Sequence, residues 1–146
     1  MIAAGLVVTM NIPAPPEMVF DALIQPDRLA LWLAPGDDWT THVHRMDPRV
    51  GGTYALTMID PKGEPHPVVG KYRVVRRPDE LEFTWRWDRP NEAETTVHIK
   101  LQRRENTTDL VLTHERLPTE AAKQRHLDGW NACLSRLIKQ LETAVN

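Results

Sequence analysis

The chain has 146 residues, of which 41% are hydrophobic and 26% charged, with a formal net charge of −2. That length suits one domain (1–146) with a full core and is short for two, and the interspersed charges give no basic patch for a nucleic acid or an anionic membrane. No apolar run approaches the roughly 18 residues of a membrane span. A single cysteine, Cys133, excludes an intrachain disulfide and fits a cytoplasmic setting.

The N-terminus has no basic segment followed by an apolar run, so no signal peptide is expected. "GLVVTMNIP" (5–13) is β-branched and partly alternating and predicts a first strand. "APPEMVFDALI" (14–24) predicts a helix, with Pro16 in its first turn, Glu17 at its positive end and Val19, Phe20, Leu23 and Ile24 on its apolar face. "QPDRLALWLAP" (25–35) repeats the pattern with Pro26 and Asp27. Six strands follow, at 39–46, 53–59, 66–77, 81–87, 93–104 and 109–117, separated by turns such as "DPKGEP" and "DRPNE". In the fourth of these, Leu81, Phe83, Trp85 and Trp87 alternate with Glu82, Thr84 and Arg86. Hairpin succession implies an antiparallel sheet with one face buried. Pro118 opens a long last helix, in which Leu127, Trp130, Leu134, Leu137 and Leu141 recur at steps of three and four and Cys133 and Ile138 widen the stripe. This helix is the one element long enough to cover the sheet.

Five tryptophans against two phenylalanines is an unusual aromatic choice. Each buried indole N–H needs an acceptor, so the tryptophans fill a core or line an amphipathic pocket. Gly129-Trp130 poses the same alternative. In one reading Trp130 is a core anchor and Gly129 lets a neighbouring segment approach; in the other, compatible with it, the small residue helps to open a cavity that Trp130 lines.

His42 and His44 are two apart on a strand and project to one face, with His98 or His114 as a conceivable third ligand. No cysteine pair and no His-Glu-x-x-His helix accompanies them, so no metal is expected. His114 shares the apolar parity of Leu110 and Leu112 and aims toward the helix, which makes it the best candidate for a general base. No acid, nucleophile or oxyanion site accompanies it, and a structural histidine is the commoner outcome. Cys133 reads as an inert, half-buried helix residue. Asp47, Arg49, Gly51 and Gly52 read as a turn with positive φ and a bulge. The pairs Arg76-Arg77 and Arg103-Arg104 read as solvated strand ends.

Five stretches resemble a known group when taken in order. They are "IPAPPEMVFDALIQPDRLALWLAP", "DPRVGGTYALTM", "GKYRVVRRPDELEFTWRW", "LTHERLP" and "HLDGWNACLSRLIKQLE". The chain resembles the helix-grip (START-like, SRPBCC) superfamily and, within it, the group similar to the activator of heat-shock-protein-90 ATPase. The resemblance implies an α+β fold in which a curved antiparallel sheet of about seven strands, with two short helices after the first, grips a long C-terminal helix. It further implies a cavity between sheet and helix that binds a small hydrophobic or aromatic molecule without a cofactor. The residues expected around that molecule are Trp130, Gly129, Tyr54, Leu56, Trp85, Tyr72, His114 and Leu112. The alternatives are an enzyme of the cyclase, aromatase or hydrolase kind using His114, or a module that binds a chaperone or regulator. Association as a homodimer stays open.

Overall fold

Alternation in the first and last strands sets how the sheet closes. In β1 (Leu6–Ile12), Leu6, Val8 and Ile12 are buried while Val7 faces solvent. In β7 (Thr108–Glu115), Thr108, Leu110, Leu112 and His114 are buried in the same alternating way. The two strands pair antiparallel, with Val8 opposite Leu112 and Leu6 opposite His114. The structure is a computed structural model that describes residues 5–145. The outermost positions of the single-domain reading, 1–4 and 146, lie outside the described residues.

Two short helices carry the chain from one sheet edge to the other. They are α1 (Pro16–Ile24) and α2 (Pro26–Trp32), each with proline in its first turn, and Gln25 both ends the first and caps the second. The chain then returns strand by strand through β2 (Thr40–Met46), β3 (Thr53–Ile59), β4 (Pro65–Arg76), β5 (Glu80–Trp87) and β6 (Thr95–Arg103) to β7. The result is a seven-stranded antiparallel sheet in the order β1-β7-β6-β5-β4-β3-β2. This is the expected helix-grip arrangement.

Three local readings change. Pro118 lies outside the last helix, α3 (Glu120–Val145); Thr119 caps it, its Oγ1 accepting the Ala122 N–H at 3.0 Å. The arginine pairs are not merely solvated. Arg77 donates two bonds to the Asp21 carboxylate, at 2.9 and 3.0 Å, and Arg103 pairs with Glu17, so both reach α1 and tie it to the sheet. Gly51 does take φ +86°, whereas Gly52 is needed for closeness, since a Cβ there would stand 2.0 Å from the Asp47 carbonyl oxygen. Arg49 bonds Asp47 within the same turn.

Gly70, which opens the stretch "GKYRVVRRPDELEFTWRW", is needed for closeness in the same way. A Cβ on Gly70 would lie 2.0 Å from the Thr84 carbonyl oxygen and 2.4 Å from the Tyr54 ring. Tyr54 therefore lies across β4 where only hydrogen fits, and its hydroxyl donates to that Thr84 carbonyl.

α3 is packed unevenly along its length. Leu134, Leu137 and Leu141 are fully buried in its C-terminal half, and the helix as a whole contacts β1, α1 and α2. Its N-terminal half, from Ala122 to Cys133, borders open space instead.

Candidate functional site

The open space is a cavity of about 620 Å³ between the N-terminal half of α3 and the sheet. Its apolar wall includes Trp85 and Trp87 of β5, Met58 of β3, Leu33 after α2, and Trp130 and Cys133 of α3. Gly129 also lines it, and a Cβ added there would meet nothing within 4 Å. Among the described residues no segment closes on Gly129, so the close-approach reading of this glycine does not hold.

The aromatic wall is fixed by a one-directional chain of hydrogen bonds. Trp130 Nε1–H donates to His114 Nδ1 at 3.0 Å. An indole N–H can only donate, so Nδ1 is unprotonated and the neutral ring carries its proton on Nε2. His114 Nε2–H then donates to Thr95 Oγ1 at 2.7 Å, and Thr95 Oγ1 donates to the Trp85 carbonyl at 2.7 Å. The chain thus begins on one tryptophan and ends on the backbone of another, whose rings are 5.3 Å apart. Burial, with a smaller contribution from His126, lowers the His114 pKa to about 3.

A second indole–imidazole pair stands beside the first. Trp87 Nε1–H donates to His126 Nε2 at 3.1 Å, and His126 Nδ1–H donates to the Ala122 carbonyl at 2.7 Å. His126 is held neutral in the opposite tautomer from His114, and burial lowers its pKa. The two imidazoles meet edge to face, centroids 4.9 Å apart. The Trp85 indole N–H is buried and has no acceptor among the described residues.

The residues expected from the sequence divide into three sets. Trp130, Gly129 and Trp85 line the cavity. Tyr54, Leu56 and Tyr72 line a separate void of about 30 Å³, shared with Trp85 and Trp130, which has room for about one water molecule. Tyr54 and Tyr72 are buried, and desolvation raises the pKa of both. His114 and Leu112 are fully buried and border neither space. His114 has no free lone pair to accept a substrate proton, because Trp130 occupies Nδ1 and the ring proton sits on Nε2. The physical reason is packing: His114 lies opposite Leu6 and Val97 on β7, and the Trp85 and Trp130 rings pack against it at 6.4 and 6.1 Å.

Cys133 is buried, not half-buried, and burial pushes its thiol up to about 12, which leaves it protonated. His42 is exposed and His44 occupies a bulge, where it bonds Thr57, while His98 bonds Glu80 at 2.6 Å. These rings do not converge, and among the described residues no group of three His, Cys, Asp or Glu side chains is placed to hold a metal.

The sequence reading missed the mouth of the cavity. His66, Arg89 and Glu92 stand there with Arg125 and His126 of α3. Most come from turns and strand ends, where no periodicity points inward; the one signal was "DRPNE", an unusually polar turn directly after an aromatic strand.

A family described as activator of Hsp90 ATPase homolog 1-like protein matches residues 13–142. The chain belongs to that family. Every residue of the cavity wall, from Leu33 to Cys133, falls within the segment matched to the activator-like family. Solved structures with the same fold include a Chromobacterium violaceum protein, 26% identical, with 95% of this chain and 97% of that chain covered and a TM-score of 0.89. A Silicibacter pomeroyi protein is 23% identical over 97% of this chain and 99% of its own, with a TM-score of 0.86. One from Nitrosomonas europaea is 23% identical over 97% and 96%, with a TM-score of 0.82. No curated protein matches this member of the activator-like family. None of its helices, among the described residues, is long and apolar enough to cross a membrane.

Proposed function

We propose that this chain binds a small hydrophobic or aromatic molecule, its apolar body held in the cavity beneath the N-terminal half of α3, without chemistry of its own. The observation that carries the reading is the cavity itself, about 620 Å³ with Trp85, Trp87 and Trp130 in its wall. Small-molecule sites run from about 300 to 1,000 Å³ and are mainly apolar. The two indole–imidazole pairs hold the walls rigid before any ligand arrives, which reduces the ordering cost of binding. Binding is favoured over an acid–base enzyme because the buried histidine has both nitrogens engaged.

N-phenyl-1-naphthylamine, an uncharged dye that brightens in apolar surroundings, tests this directly. Saturable binding with one equivalent per chain, lost in Gly129→Leu, is the expected result. The leucine side chain would enter the space that a Cβ at Gly129 leaves open. No saturable binding, or equal binding by the variant, would overturn the proposal.

A further inference from the structure

The cavity mouth carries a charge arrangement that a purely apolar ligand would not use. Eight of the thirteen arginines pair with a carboxylate among the described residues. Arg89 and Arg125 are not among those eight, and both line the cavity. Arg89 is nevertheless held in place. Its Nη2–H donates to His66 Nδ1 at 2.7 Å, and its guanidinium carbon lies 5.8 Å from the centre of the Trp87 ring.

The chain of donors behind Arg89 runs in one direction. A guanidinium can only donate, so His66 Nδ1 is unprotonated and His66 Nε2–H donates to Asp60 Oδ2 at 3.0 Å. The His66–Asp60 contact is therefore a hydrogen bond from a neutral ring, not an ion pair. Asp60 is fixed in turn, its Oδ1 accepting the amide N–H groups of Lys62 and Glu64 at the β3–β4 turn. The relay orients Arg89 without neutralising it. The guanidinium retains N–H groups beyond the one spent on His66. Arg125 adds a second cation on α3, against a single carboxylate, Glu92, among the described residues that line the cavity.

From this placement, and resting on the binding function proposed above, we infer that the natural ligand is an aromatic organic anion whose ring system lies among Trp85, Trp87 and Trp130 and whose acidic group meets Arg89 and Arg125 at the mouth. A planar acidic group such as a carboxylate fits the fork of a guanidinium.

The test compares N-phenyl-1-naphthylamine with 8-anilinonaphthalene-1-sulfonate, which is the same skeleton bearing one sulfonate. The anion should bind about tenfold more tightly at low salt, the scale of one charge-assisted hydrogen bond at an exposed site, and the advantage should shrink as ionic strength rises. In Arg89→Gln/Arg125→Gln the two affinities should converge through loss of the anion's advantage, and an unchanged circular-dichroism spectrum shows that the variant is folded. Equal affinities in the unmodified protein would overturn the anion assignment and leave the aromatic cavity standing. So would an anion preference that survives in the double variant or in Gly129→Leu, since the sulfonate would then be held elsewhere. Binding of neither dye would sink the cavity function together with this assignment.

Discussion

His114 makes the stability of the protein depend on pH in a window where few other groups act. Its ordinary pKa is 6.5 and burial lowers it to about 3 in the folded protein. Above pH 6.5 the ring is neutral in both folded and unfolded chains and costs nothing. Below 6.5 the unfolded chain gains a proton that the folded chain cannot take, because Trp130 N–H occupies Nδ1, and stability falls until the folded pKa is reached. Each pH unit within the window is worth roughly 1.4 kcal/mol, so going from pH 6.5 to 4.5 should remove about 2–3 kcal/mol through this residue. His126, whose pKa is also lowered, acts in the same direction. The carboxylates with lowered pKa, Asp21, Asp60, Glu80 and Asp109 among them, lose their contribution at lower pH still. Urea unfolding of the unmodified protein and of His114→Asn at several pH values from 7.5 to 4.5 isolates the effect. The gap in stability between the two should narrow by about 2–3 kcal/mol toward pH 4.5. A gap that stays constant would mean that His114 titrates freely in the folded state, and the tautomer assigned to it would be wrong.

Other substitutions probe the fold and the cavity separately. Leu134→Ala and Leu137→Ala, both at fully buried positions, should each cost about 2–5 kcal/mol by chemical denaturation. Gly70→Ala should cost more than about 3 kcal/mol or abolish soluble expression, because the new Cβ meets the Thr84 carbonyl, which cannot move aside as a side chain would. Gly129→Ala should do the opposite and raise the melting temperature, since a helical glycine gives way to alanine in open space for a gain of up to about 1 kcal/mol.

Periodicity made the sheet legible because one face of it is buried along most strands. The alternation in β6 and β7, and the stripe from Leu127 to Leu141, each follow from a single continuous core. The site was legible only in part, for the same reason. Tyr54, Leu56 and Tyr72 share the buried parity of Trp85, yet they fall where the sheet is filled by its own side chains, around Gly70. Parity tells which face a residue points to, but not whether a helix has packed down over it. α3 does so with Leu134, Leu137 and Leu141 and leaves space around Gly129, and that difference depends on where α2 and the β5–β6 turn stand. Arg89 and His66 carry no periodic signal at all, since their pairing joins two segments 23 residues apart.

The central claim is that an aromatic molecule sits among three particular tryptophans. Titration of ¹⁵N-labelled protein with N-phenyl-1-naphthylamine, followed through the indole N–H resonances, tests it most directly. Trp85, Trp87 and Trp130 line the cavity, whereas Trp32 does not and is held by the Ala22 carbonyl at 2.9 Å. The Trp87 and Trp130 signals should shift together and saturate at one equivalent, with Trp32 unmoved. Indole signals that all stay in place at saturating dye, or a Trp32 shift larger than those of Trp87 and Trp130, would contradict the account.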